Sequence, residues 1–120
     1  MAKKILVIDD EPELSKAIEV RLTKYGYTIV VADNGSEGLL KAIVEKPNLI
    51  ILDIMMPGLN GLEVLRRLKD NLDTRDIPVV ILTCKGDSQF IFKAQDLGVQ
   101  DYIIKPFESV ELLEIVNKYI

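Results

Sequence analysis

Ile5-Leu6-Val7-Ile8-Asp9-Asp10-Glu11-Pro12 decides the fold. Four apolar residues, mostly β-branched, run without polar alternation, as in a strand covered on both faces. They stop abruptly in three acids, and at Pro12 the chain enters a stretch of helical length. The same sequence of events recurs along the chain. Further apolar runs are Thr28-Ile29-Val30-Val31-Ala32, Leu49-Ile50-Ile51-Leu52, Val79-Val80-Ile81-Leu82 and Tyr102-Ile103-Ile104.

Amphipathic stretches fill the gaps. Pro12 to Tyr25 sets Leu14, Ile18, Leu22 and Tyr25 on one stripe, with Gly26 as its stop. About Ser36 to Glu45 places Leu39, Leu40 and Ile43 inward, and Pro47 ends it. Gly61 to Leu72 carries Leu65 and Leu68. A fourth helix spans about Gln89 to Leu97, and a fifth, Ser109 to Ile120, carries Leu112, Leu113, Val116 and Ile120. Five β-α alternations predict an α/β doubly wound five-stranded parallel sheet, order 2-1-3-4-5, with five helices on both faces. Residues 1–120 are expected to form a single domain, with no linker, repeat or second output domain among them.

Composition narrows the function. The 120 residues carry 15 Lys+Arg and 19 Asp+Glu, a net charge of −4, so nucleic acid is not the expected ligand. There is no histidine, which excludes Ser-His and Cys-His catalysis and histidine metal ligation. The lone Cys84 excludes an intrachain disulfide and fits a reducing compartment. No apolar stretch nears the roughly 20 residues of a membrane helix, so a soluble, cytoplasmic protein is expected.

Ligands of open α/β sheets bind beyond the carboxyl ends of the strands. There the sequence places Asp9, Asp10 and Glu11 after the first run, Asp53 after the third, Thr83 after the fourth and Lys105, then Pro106, after the fifth. Each alone reads as a turn or a helix cap. Together they converge carboxylates, one hydroxyl and one ammonium on one end of the sheet. Clustered carboxylates repel one another unless a cation compensates. Oxygen-only ligands with room for water and phosphate favour Mg²⁺. A carboxylate beside Mg²⁺ is one way to make an acyl phosphate, with Thr83 and Lys105 holding phosphoryl oxygens.

Val7 to Pro12, Asp53-Ile54-Met55-Met56-Pro57-Gly58, Ile81-Leu82-Thr83, and Asp101 to Phe107 together resemble the receiver domain of two-component response regulators (a CheY-like, flavodoxin-like fold). The resemblance covers essentially the whole chain. It implies that Asp53 is the phosphoacceptor. Mg²⁺ (or Mn²⁺) would be held by Asp10, Asp53 and the Met55 backbone carbonyl, with Asp9 acting through a water. Thr83 would be the switch hydroxyl and Tyr102 its aromatic partner. Lys105 would pair first with Asp53, then with the phosphate, aimed by a cis Lys105-Pro106 bond. Met55 and Lys85 would flank the water that releases the phosphate; no other enzymatic activity is implied. The implied partners are a sensor histidine kinase or phosphotransfer protein and a downstream target or fused output domain, engaged through the fourth helix, fifth strand and fifth helix.

Departures bear on that face. Two basic positions of the family's dimer network read Ile91 and Ile115, so a phosphorylation-dependent homodimer cannot use the usual salt bridges. Phe92 is expected to face the core. Phe90 and Ile91 either join Ile115 in an apolar partner surface or fold back over the sheet edge. Cys84, where the family usually has alanine, is expected to be a small buried residue. Ser109 rather than Glu108 is expected to cap the last helix. Gly58-Leu59-Asn60-Gly61 reads as a turn. Two alternatives stand beside the switch: a phosphorylation-independent interaction module, and a flavodoxin-like cofactor binder. The acidic first turn, with no phosphate cradle, disfavours the latter.

Overall fold

A computed structural model describes residues 2–56, 60–84 and 86–120. Strands β1 (Lys4–Ile8), β2 (Thr28–Ala32), β3 (Leu49–Asp53), β4 (Val79–Cys84) and β5 (Asp101–Lys105) alternate with helices α1 (Pro12–Thr23), α2 (Gly35–Glu45), α3 (Gly61–Asp70), α4 (Ser88–Asp96) and α5 (Ser109–Tyr119). All pairings are parallel, and the order is β2-β1-β3-β4-β5. This is the architecture the alternation of runs predicts.

Two cores explain why the central runs are continuously apolar. In β1 and β3, Leu6, Ile8, Ile50 and Leu52 face a core completed by Ala42, Val64, Leu65, Leu68 and Ala94. Their neighbours Ile5, Val7, Leu49 and Ile51 face the other core, with Ile18, Leu22, Leu112 and Val116. Successive side chains point to opposite faces, so a strand with helices on both sides needs an apolar residue at every position. The edge strands are different. Burial on both faces fails for β2 and β5, where Thr28, Tyr102 and Ile104 are exposed.

Several helical expectations need correction. Leu40 and Ile43 do not face in; they are exposed, and α2 packs through Gly38, Ala42 and half-buried Leu39. A Cβ on Gly38 would lie 2.6–2.9 Å from the Ile8 side chain. α2 lies too close to β1 for large residues, so its larger side chains turn away. Tyr25 lies beyond α1 and is exposed. Phe92 is 66% exposed rather than buried. At about 100° per residue, Phe90, Ala94 and Leu97 share the inner stripe of α4, and position 92 falls on the opposite side. Glu108, not Ser109, caps α5; its amide donates to Glu111 Oε1 at 3.4 Å.

Candidate functional site

The strand ends bring the singled-out residues together. Asp53 closes β3 in register with Leu82, so Thr83 stands one step further along β4; Lys105 closes β5 opposite Cys84. Asp9 follows β1, and its amide donates to Ala32 O at 3.0 Å. Asp53, Thr83 and Asp9 are at most 1% exposed.

Asp9, Asp10, Glu11 and Asp53 each place a carboxylate oxygen within 4.8 Å of the others. Asp9 Oδ1 accepts from the Glu11 amide at 2.9 Å and Asp53 Oδ1 from the Met55 amide at 3.1 Å. Lys105 Nζ lies 3.3 Å from Asp53 Oδ2 and 3.2 Å from Glu11 Oε1. Among the described residues neither Asp9 Oδ2 nor Asp53 Oδ2 has a hydrogen-bond donor; the ammonium meets Asp53 Oδ2 as a charge, not at hydrogen-bonding angles.

The electrostatics follow from this crowding. Burial pushes the Asp9 carboxyl up to about 7; the Glu11 amide opposes the rise and the Asp53 carboxylate adds to it. Burial also works against the charge on Lys105, but Asp53, Glu11 and Asp9 together outweigh it, so the lysine pKa is raised. Among the described residues, four carboxyl groups against one ammonium leave an excess of negative charge with two buried oxygens open. That donor set fits a hard divalent cation.

Gly61 sets the approach of α3 to the site. A Cβ there would lie 2.3 Å from Ile54 Cα and 2.6 Å from Asp53 O. Asn60 caps the helix, accepting from the Glu63 amide at 3.0 Å. The helix expected from Gly61 starts there; its close approach to the acid-bearing strand is what the sequence does not show. Asp87 was missed too: its Oδ2 accepts from the Thr83 hydroxyl at 3.4 Å and the Cys84 amide at 3.3 Å. Its signal was an Asp directly before α4, four residues after Thr83. Cys84 is exposed, not buried, because β4 runs beyond the covered part of the sheet. Pro57, Gly58, Leu59 and Lys85 lie outside the described residues, and with them the end of the Asp53–Gly58 motif and the lysine flanking the water approach.

The Lys105-Pro106 bond is cis. On the α4-β5-α5 face, Phe90, Ile91 and Ile115 are half-buried, Phe90 on one core and Ile115 on the other. Tyr102, Ile104, Phe92 and Val110 are exposed apolar groups on these elements. A groove of about 380 Å³ runs between β5 and α5, edged by Asp101, Glu111 and Glu114. Among the described residues no ion pair joins α4, β5 and α5.

This fold, with acids at its strand ends, is that of a signalling domain family. The model of the response regulator receiver domain matches residues 5–117, and the chain belongs to that family, a signalling domain of two-component systems. The response regulator ArlR of Staphylococcus epidermidis is 39% identical over 91% of this chain and 48% of its own length. Protein PilH of Pseudomonas aeruginosa is 36% identical over 95% of this chain and 94% of its own. The chain thus spans about half the length of most of the curated relatives it matches, and nearly all of PilH. Among solved structures, the receiver domain of the sensor histidine kinase PA1611 from Pseudomonas aeruginosa superposes with a TM-score of 0.90 at 25% identity, covering 99% of this chain and 98% of its own; that structure has a magnesium ion coordinated in its active-site cleft. Chemotaxis protein CheY4 of Vibrio cholerae superposes at 0.94 with 24% identity over the whole of both chains. No helix in the described residues is long and apolar enough to cross a membrane.

Proposed function

We propose that Asp53 accepts a phosphoryl group from a cytoplasmic sensor histidine kinase or phosphotransfer protein, and that this switches the α4-β5-α5 face toward a downstream partner or output domain. The observation that carries the reading is the Asp53 carboxylate itself. It is fully buried, one oxygen is held by the Met55 amide, and the other faces Lys105 among three further carboxyl groups. An oxygen of Asp53 attacks phosphorus, the bond from phosphorus to the donor nitrogen breaks, and the acyl phosphate forms on Asp53. Asp10, Asp53 and the Met55 carbonyl would hold Mg²⁺, with Asp9 acting through a water, and the ion would supply charge neutralisation for the oxygens of the transferred group.

Lys105 already lies beside Asp53 and needs little motion to meet a phosphoryl oxygen. Thr83 has to exchange its Asp87 partner for the phosphate, and Tyr102, 36% exposed on β5, is the aromatic group that would follow it inward. That exchange links the acid site to the start of α4, a two-state element that phosphorylation biases. Residues 1–120 are read as one receiver domain, and release of its own phosphate is its remaining chemistry.

Intact-protein mass spectrometry after incubation with a small acyl-phosphate donor and Mg²⁺ tests the reading. One phosphoryl gain is expected in wild type, and none in Asp53→Asn or without metal. No gain from the small donor or from a cognate kinase, with native fold retained, would leave a phosphorylation-independent interaction module.

A further inference from the structure

Among the described residues, α2, α3 and α4 each follow an Asn or Asp, but the side chain caps the helix in α2 and α3 alone. Asn34 and Asn60 have extended backbones, with ψ 167° and 166°. Their side-chain oxygens accept from the amides three residues on, Glu37 at 2.8 Å and Glu63 at 3.0 Å. Asp87 holds the same position before α4, yet its ψ is 37° and its side chain makes no capping bond. The carboxylate points back to β4 instead. Its Oδ2 accepts from the Thr83 hydroxyl at 3.4 Å and the Cys84 amide at 3.3 Å. The amide three residues on, Phe90, goes to the Asp87 carbonyl at 3.0 Å. A side chain well suited to capping is thus withheld from the helix that starts beside the acid site.

Resting on the reading that Thr83 turns to a phosphoryl group on Asp53, we propose that Asp87 is a positioning residue with two places. Bound to Thr83, it leaves α4 uncapped; released, it caps α4. The two states exclude each other, because Thr83 has one hydroxyl proton to give, either to Asp87 or to a phosphoryl oxygen. Charge acts in the same direction. An anion arriving at Thr83 repels the Asp87 carboxylate, and the positive end of α4 attracts it. Capping needs the extended backbone seen at Asn34 and Asn60. The Asp87 ψ therefore has to turn, and the first turn of α4 is re-seated with it. The coupling is reciprocal: a partner that prefers capped α4 frees Thr83 and so favours the phosphorylated form.

The test is amide hydrogen exchange at Gln89 and Phe90, followed by NMR in the full chain. Wild type, Thr83→Ala, Asp87→Ala and Asp87→Asn are compared, each with and without a small acyl-phosphate donor and Mg²⁺. Thr83→Ala removes the competing hydroxyl and should slow exchange about three- to tenfold without any phosphate, the usual worth of a helix cap. A merely structural Thr83–Asp87 bond predicts the reverse, faster exchange once it is lost. Phosphorylated wild type should show the same slowing. Asp87→Ala should show none, alone or combined with Thr83→Ala, whereas Asp87→Asn keeps a good cap and should retain it. Unchanged or faster exchange in Thr83→Ala overturns the inference, as does slowing there without slowing in phosphorylated wild type; neither result touches the phosphoryl gain on Asp53. Slowing in Thr83→Ala with no phosphoryl gain by wild type supports the two places of Asp87 and overturns the phosphoacceptor reading.

Discussion

The amino end and outer surface of the molecule treat charge differently from the carboxyl end of the sheet. Lys4 Nζ lies 2.9 Å from Glu45 Oε1 where β1 begins, and on α3 Glu63 pairs with Arg66 and Arg67 while Arg66 reaches Asp70 at 2.9 Å. These paired charges are also in contact with water, so each pair adds little. At the carboxyl end Asp9 and Asp53 are out of water, with one lysine beside them and two oxygens lacking donors among the described residues. Removing an ionised carboxylate from water costs several kcal/mol unless it is paired. The contrast teaches that the fold is least satisfied where its chemistry lies, and that a cation relieves what the chain leaves unbalanced.

Asp9→Asn tests that contrast most severely. In metal-free protein at pH 8 it should stabilise the fold by on the order of 3 kcal/mol, because the pKa lifted from 3.8 to about 7 marks the ionised form as costly. The sign follows from the direction of the shift. Below about pH 4 Asp9 is protonated in both folded and unfolded chains, and its stabilising preference for the proton is fully present. As pH rises through 7 that preference is lost. The gap between variant and wild type should therefore open between pH 4 and 7 and stay level above, measured by urea denaturation. A pH-independent gap would mean that Asp9 does not carry the strain.

Metal should relieve the same strain. At a Mg²⁺ concentration 100 times its Kd the wild type gains about 2.7 kcal/mol, a gain expected to be much smaller in Asp53→Asn. Lys105→Met should act in the opposite sense, costing the metal-free protein about 2 kcal/mol by leaving the acids without their ammonium, below the full penalty of a buried pair because the lysine side chain is 16% exposed. A neutral result for Lys105→Met would place the compensation elsewhere.

The same contrast explains what could be read from the amino-acid sequence. β1, β3 and β4 were legible because strands buried on both faces are apolar at every position, and the site residues because each follows such a run. Asp9, Asp53, Thr83 and Lys105 needed only the rule that ligands sit beyond strand ends. Distance-dependent features were not legible. Gly61 is legible as the start of α3 but not as a residue whose Cβ would lie 2.3 Å from Ile54 Cα, and Leu40 reads as core until Gly38 brings α2 against Ile8. Phe92 was misplaced by half a helical turn, which a short helix with apolar residues on several sides does not resolve.

Glu63 gives the smallest effect and the sharpest control. Hydrogen bonds from Arg66 and Arg67 hold its carboxyl down at about 2 from an ordinary 4.5. Its contribution is therefore complete above about pH 4.5 and lost as pH falls through 2, below the window in which the Asp9 gap opens. Glu63→Gln should lower the urea midpoint slightly at pH 7, less than any site variant moves it. The difference should shrink near 1 M salt, where screening falls to about 3 Å, and should vanish toward pH 2. Mg²⁺ affinity and the phosphoryl gain should match wild type, because Glu63 lies on the exposed flank of α3 among its own arginines. A Glu63→Gln variant with altered Mg²⁺ affinity would break the separation, showing that the ion pairs of α3 reach Asp53 through the Gly61 contact.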